Sequence, residues 1–221
     1  MLPLIRIRVT ADRAGTISNV PGFLHDLKQE AVALRARMQR RAILIHLALI
    51  GVFGILLPWW KGVDFLDAVM LSASACLGIL FAAPAAAEAF AQSQPKSLNE
   101  ALARIAMAVI YAEFMTVAIL GCGLITVYLK AHFFLAPDLE ALAMSAVLGV
   151  AASVAMAAIA GWMTLRFSSG VARVALRIIF LGLLLLFFSR SRWLPDVAGI
   201  GVLLSLAVAA GAVVAIRRCL G

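Results

Sequence analysis

The sequence is short of most groups that carry chemistry. Its 221 residues hold three cysteines, three histidines, two tyrosines and only eleven Asp and Glu, and charged residues make up 14% of the chain. Cys76, Cys122 and Cys219 show no CxxC spacing, so neither a disulfide framework nor a cysteine metal site is indicated. His25, His46 and His132 stand far apart without an HExxH motif or an acidic cluster, which argues against zinc and bis-histidine haem. No GxxxxGK[ST] stretch is present, so the chain itself has no P-loop for ATP. No GxSxG elbow accompanies the serines, and no serine–histidine pair falls at matching positions for nucleophilic catalysis. Cofactor, metal and catalytic residues are all expected to be none. The N-terminal MLPLIRIRVTADRAG meets charges before any long apolar region forms, unlike a signal peptide.

Apolar residues are plentiful instead, at 64% of the chain. A soluble domain is usually near half apolar. The excess falls in blocks about as long as the ~20 residues that cross ~30 Å of hydrocarbon. Six spans are expected, near 42–60, 65–87, 105–129, 139–165, 171–189 and 195–216. The fifth must take in Arg177, because its uninterrupted apolar part, IIFLGLLLLFF, is short. The fold class expected is all-α: a polytopic membrane protein with six transmembrane helices and an N-terminal amphipathic cytoplasmic helix. Residues 1–41 form the cytoplasmic N-terminal segment, 42–217 the transmembrane domain and 218–221 a cytoplasmic tail.

Lys and Arg set the orientation. Fifteen fall on the side of the two termini and four on the other, so both ends are expected in the cytoplasm of a cell (inner) membrane. The formal net charge of +8 then suits loops facing anionic lipid, and no nucleic-acid role is inferred from it. Before the first span, Phe23, Leu24, Leu27, Ala31, Leu34 and Met38 recur at spacings of three and four among charged residues. The pattern predicts an amphipathic helix beginning after Pro21-Gly22, lying in the leaflet plane or docked on a partner. GVAASVAMAAIAG and LAVAAGAVVA in the fourth and sixth spans offer small faces for close helix approach, in a bundle or against a second copy.

Two polar features stand out. IAMAVIYAEFMTVAIL places one carboxylate, Glu113, inside the third span, where an ion needs a partner, water or a proton. Arg177 falls at similar depth in the fifth span, making Glu113–Arg177 the expected intramembrane ion pair; His46 is a second possible neighbour. The other feature is EAFAQSQPKSLNEALAR between the second and third spans. Ser97 and Glu100 form a capping box there for a short helix leading to Arg104. That segment either starts the third span or docks a soluble partner, through Glu88, Lys96, Ser97, Leu98 and Glu100.

The six-span layout with both ends inside, together with FAAPAAAEAFAQ followed by SLNEAL, resembles the permease subunit of an ATP-binding-cassette exporter of the second (polysaccharide, drug and haem exporter) type. The resemblance implies that Phe23–Arg41 is an elbow helix and that Glu88–Leu102 belongs to a coupling region contacting a soluble ATPase subunit. It also implies pairing with a second permease and two ATPases; the alternative expectation is a non-catalytic membrane subunit or assembly factor that works among other membrane subunits. Two features differ from that family: QSQPK replaces a charged run, and SRSRWLPD leaves no length for re-entrant outer helices.

Overall fold

The structure is a computed structural model that describes residues 20–37, 40–66, 68–132, 138–167, 169–189 and 193–221. The described residues are almost entirely helical and include no strand. Helix α1 runs Val20–Arg37 and α2 runs Arg40–Leu49, continuing through a π-helical segment, Ile50–Leu56, into α3, Leu57–Lys61. A 3₁₀ turn, Gly62–Phe65, precedes α4, Ala68–Gln92; then come α5, Leu98–Ala131, α6, Leu139–Arg166, α7, Ser169–Ser189, and α8, Leu194–Leu220.

Among the described residues, five stretches are long and apolar enough to cross a membrane: His46–Phe65, Val69–Gln92, Leu98–Ala131, Leu139–Arg166 and Asp196–Leu220. Large apolar side chains also cover their outer surface. Phe114, Val117, Leu203 and Leu204 are exposed, while the hydroxyl residues Ser72, Ser145, Ser153 and Thr116 are buried. Water would make such a surface unfavourable, whereas hydrocarbon suits it.

The centre is built on α4 and α6, each in the midst of the helix packing, with α5 and α8 against them. Small residues allow this. A Cβ added to Gly149 of α6 would run into the Ser74 carbonyl of α4, and one on Gly161 would come within 2.9 Å of the Phe90 ring. The buried core is accordingly rich in alanine, including Ala75, Ala82, Ala86, Ala157 and Ala160. α7 packs on α4 and α6.

The π-helical segment has a local cause. Pro58 has no N–H to offer the Gly54 carbonyl four residues earlier, so the α-helical pattern fails there. The Leu57 N–H reaches back five residues to Val52 O, and the Thr126 hydroxyl of α5 lies 3.0 Å from Gly54 O as a donor. The same hydroxyl also lies 2.8 Å from Cys122 O, so its one hydrogen is shared or alternates between the two carbonyls. Gly54 itself permits the approach, since a Cβ there would press on Cys122 Cβ at 2.9 Å.

Three helix boundaries differ from the sequence expectation. α4 continues through Glu88 to Gln92, and α5 already starts at Leu98, so the connection between them is only 93–97. The short helix expected at Ser97–Leu102 is therefore the first turns of α5. α1 begins at Val20, ahead of Pro21-Gly22, because proline is tolerated in a helix's first turn where no N–H is required.

Candidate functional site

The α4–α5 turn is organised by Arg104, which is only 3% exposed. Ser97 is an extended N-cap whose Oγ accepts from the Glu100 N–H at 3.2 Å, while Glu100 Oε2 accepts from the Lys96 N–H at 2.8 Å. This fixes Glu100 one helical turn before Arg104, and Arg104 Nη2 donates to Glu100 Oε1 at 2.6 Å. The guanidinium then reaches across to the end of α4. Nη1 donates to Ala89 O at 2.9 Å and to Ser93 O, and Nη2 donates to Ser93 Oγ at 2.9 Å. These carbonyls belong to the last turn of a helix and the residue after it, where carbonyls lack intrahelical partners and cations are favoured.

Two further elements join the same hub. Arg104 Nε lies 3.0 Å from Glu30 Oε1 of α1, an ion pair in which the N–H is not aimed at the oxygen. The guanidinium also sits over the Phe90 ring, 5.7 Å from its centroid, and Gly161 of α6 leaves room for that ring. Around Glu30, Phe23, Leu27 and Leu34 are half-buried, whereas Leu24 and Ala31 are exposed. The inward face of α1 is thus a stripe interrupted by a carboxylate, packed on α5 of its own chain. Met38, also expected on that face, lies outside the described residues.

Arg104 was not among the residues singled out by the sequence. Of those that were, Lys96, Ser97 and Glu100 are brought together at the hub, and Leu98 is half-buried beside them as the first residue of α5. Glu88 is exposed near the end of α4, where it accepts a long 3.4 Å hydrogen bond from Gln92 Nε2 in its own helix.

Further along the bundle, His46 of α2 meets Tyr111. Its Nε2 hydrogen-bonds the Tyr111 hydroxyl, and its ring stacks on Phe81 with centroids 5.7 Å apart. Beyond it, the Glu113 side chain reaches from α5 to the α4–α6 seam. A Cβ on Gly78 would meet both Glu113 Oε1 and Ser153 Oγ, which places the carboxyl and the hydroxyl together over the bare α4 backbone. Glu113 Oε1 is buried without a hydrogen bond. Arg177 lies on α7, but its side chain is outside the described residues, so the expected pair with Glu113 has only one partner in view.

Between α6, α7 and α8 lies a cavity of about 640 Å³, lined by Met156, Ile159, Leu183, Ile200, Leu204 and Trp193, among other almost wholly apolar groups. Among the described residues no cluster of three or more His, Cys, Asp and Glu could hold a metal. In comparison with protein-family models, curated proteins and solved structures, the chain matches none.

Proposed function

We propose that this chain is a multi-pass membrane subunit that receives a soluble partner on its α4–α5 turn. The observation that carries this reading is the hub itself. A buried arginine fixes the turn, while Lys96 and Ser97 remain exposed on it and Glu88 is exposed near the end of α4. The turn is continuous with two helices of 25 and 34 residues, so a load applied there passes directly into the bundle. In this reading α7 is the fifth of six spans, since its 21 residues reach about 32 Å at ~1.5 Å each, enough for the hydrocarbon core. The excess of Lys and Arg on the side of both termini puts the turn in the cytoplasm.

The specific form of the proposal is the permease of an ATP-driven transporter, with a separate nucleotide-binding subunit as the partner. A second reading, a non-catalytic or assembly subunit of a larger membrane complex, is favoured by the cavity between α6, α7 and α8. Its walls, apolar but for Ser205 and the Trp193 indole, suit hydrocarbon or a neighbouring helix better than a polar substrate.

Purification of the tagged protein in a mild detergent, with mass spectrometry of what accompanies it, separates these. A stoichiometric soluble ATPase that is lost on Glu88→Lys with Lys96→Glu supports the permease form. Stoichiometric membrane proteins alone support the assembly form. If neither accompanies the chain, the docking proposal is wrong.

A further inference from the structure

We infer that Glu113 acts as a carboxylic acid, bound to Ser153 through its own proton, and that this proton is the ligand of a site closing α5 onto the α4–α6 seam. The argument is one of hydrogen-bond inventory. The Ser153 hydroxyl is fully buried and donates its hydrogen to Gly149 O at 2.8 Å, within its own helix. While that hydrogen stays on Gly149 O, what it presents to Glu113 is lone pairs. A carboxylate also has nothing but acceptors, so the two groups that meet over Gly78 are mismatched without a further hydrogen. A proton on Glu113 Oε1 supplies it and satisfies the oxygen that otherwise has no hydrogen bond.

The neighbours leave the proton as the group that completes the pair. From α4 the site receives the bare backbone of Gly78, and Ser74, one turn away, spends its hydroxyl on Leu71 O. On α5, Thr116 donates to Ala112 O, and Tyr111 is engaged with His46 of α2. From α6 Ser153 reaches the carboxyl. The charged residue of α7 at comparable depth is Arg177, the rival partner, and the experiment is chosen to separate it from the proton. The absence of a side chain at Gly78 belongs to the same design, because any Cβ there would displace both the carboxyl and the hydroxyl.

The test is infrared spectroscopy of the whole protein in lipid at neutral pH, beside Glu113→Gln, Glu113→Ala and Ser153→Ala. The proposal expects a protonated-carboxyl C=O band in the native protein that is lost in Glu113→Gln and shifts in Ser153→Ala as its hydrogen bond is removed. Glu113→Gln keeps an N–H donor for Ser153 and is expected to give native yields of monodisperse protein, whereas Glu113→Ala loses them. The proposal is overturned if the native protein shows no such band. It is equally overturned if Glu113→Gln fails like Glu113→Ala while the exchange Glu113→Arg with Arg177→Glu restores assembly, because an ion pair then holds the site.

Discussion

Replacing Arg104 with alanine should release α1 and loosen the α4–α5 turn together. The side chain is buried and bonds Ala89 O, Ser93 O, Ser93 Oγ and Glu100 Oε1 while pairing with Glu30. Removing one member of a buried ion pair costs about 3–5 kcal/mol, because the charge left behind stays desolvated. The Glu100 side chain is 26% exposed and can turn to water, and the turn carbonyls can hydrate once the packing opens, so the lower end of that range applies. Glu30→Ala should cost less than the ~3–5 kcal/mol of a broken buried pair, since Arg104 keeps its other acceptors. Glu100→Ala should cost about 1 kcal/mol or less on account of its exposure. Arg104→Lys should recover only part of the loss, because an ammonium cannot serve the α1, α4 and α5 acceptors as a planar fork does. Unfolding in mixed micelles with rising SDS, followed by helical circular dichroism, gives these differences. Limited trypsin digestion gives an independent reading, since cleavage at Lys28 requires α1 to leave α5. A Glu30/Arg104 double-mutant cycle with coupling under about 0.5 kcal/mol, the scatter of independent sites, would refute the hub as the tie between α1 and the bundle. Unchanged trypsin resistance in Arg104→Ala would refute it from the other side.

Three more outcomes are expected from the same packing. Gly149→Ala, whose new Cβ meets the Ser74 backbone carbonyl, should destabilise by about 1–3 kcal/mol as the α4–α6 seam is forced apart. Gly211→Ala on α8 meets nothing within 4 Å and should instead be neutral or stabilise by about 0.5–1 kcal/mol through helix propensity; equal effects at the two glycines would show that the seam is not the tight contact. Thr126→Val should cost about 1 kcal/mol in SDS unfolding by stripping a donor from Gly54 O, and Pro58→Ala in the same chain should remove that cost, since the backbone then supplies its own N–H. Ser97→Ala should lower stability by about 1 kcal/mol through loss of the α5 cap, and Ser97→Asp should restore it; a neutral Ser97→Ala would mean that Glu100 alone holds the helix start.

The helices long and apolar enough to cross a membrane were legible because their signal is local: block length against hydrocarbon thickness needs no knowledge of neighbours. The Ser97–Glu100 capping box was legible for the same reason, since both partners lie within one turn. Arg104 was not, because counting Lys and Arg by side treats each as a charge facing lipid and takes no account of what it bonds. Two of its acceptors, Ala89 O and Ser93 O, are backbone carbonyls, which every residue has, and only the register of α4 against α5 selects those two. One clue was present in the sequence. Glu30 falls between Leu27 and Leu34 at spacings of three and four, inside the apolar stripe of α1 and not on its charged face. A carboxylate in that place needs a cation from another element, and the basic residue that directly follows a capping box at the start of a buried helix is the one already held in a fixed direction. The hub therefore follows from two local patterns taken together. The Glu113 site does not reduce to such patterns, because the presence of Ser153 and the bare backbone of Gly78 at that carboxyl depends on how closely α4 and α6 approach, and that distance is set by glycines spread over both helices.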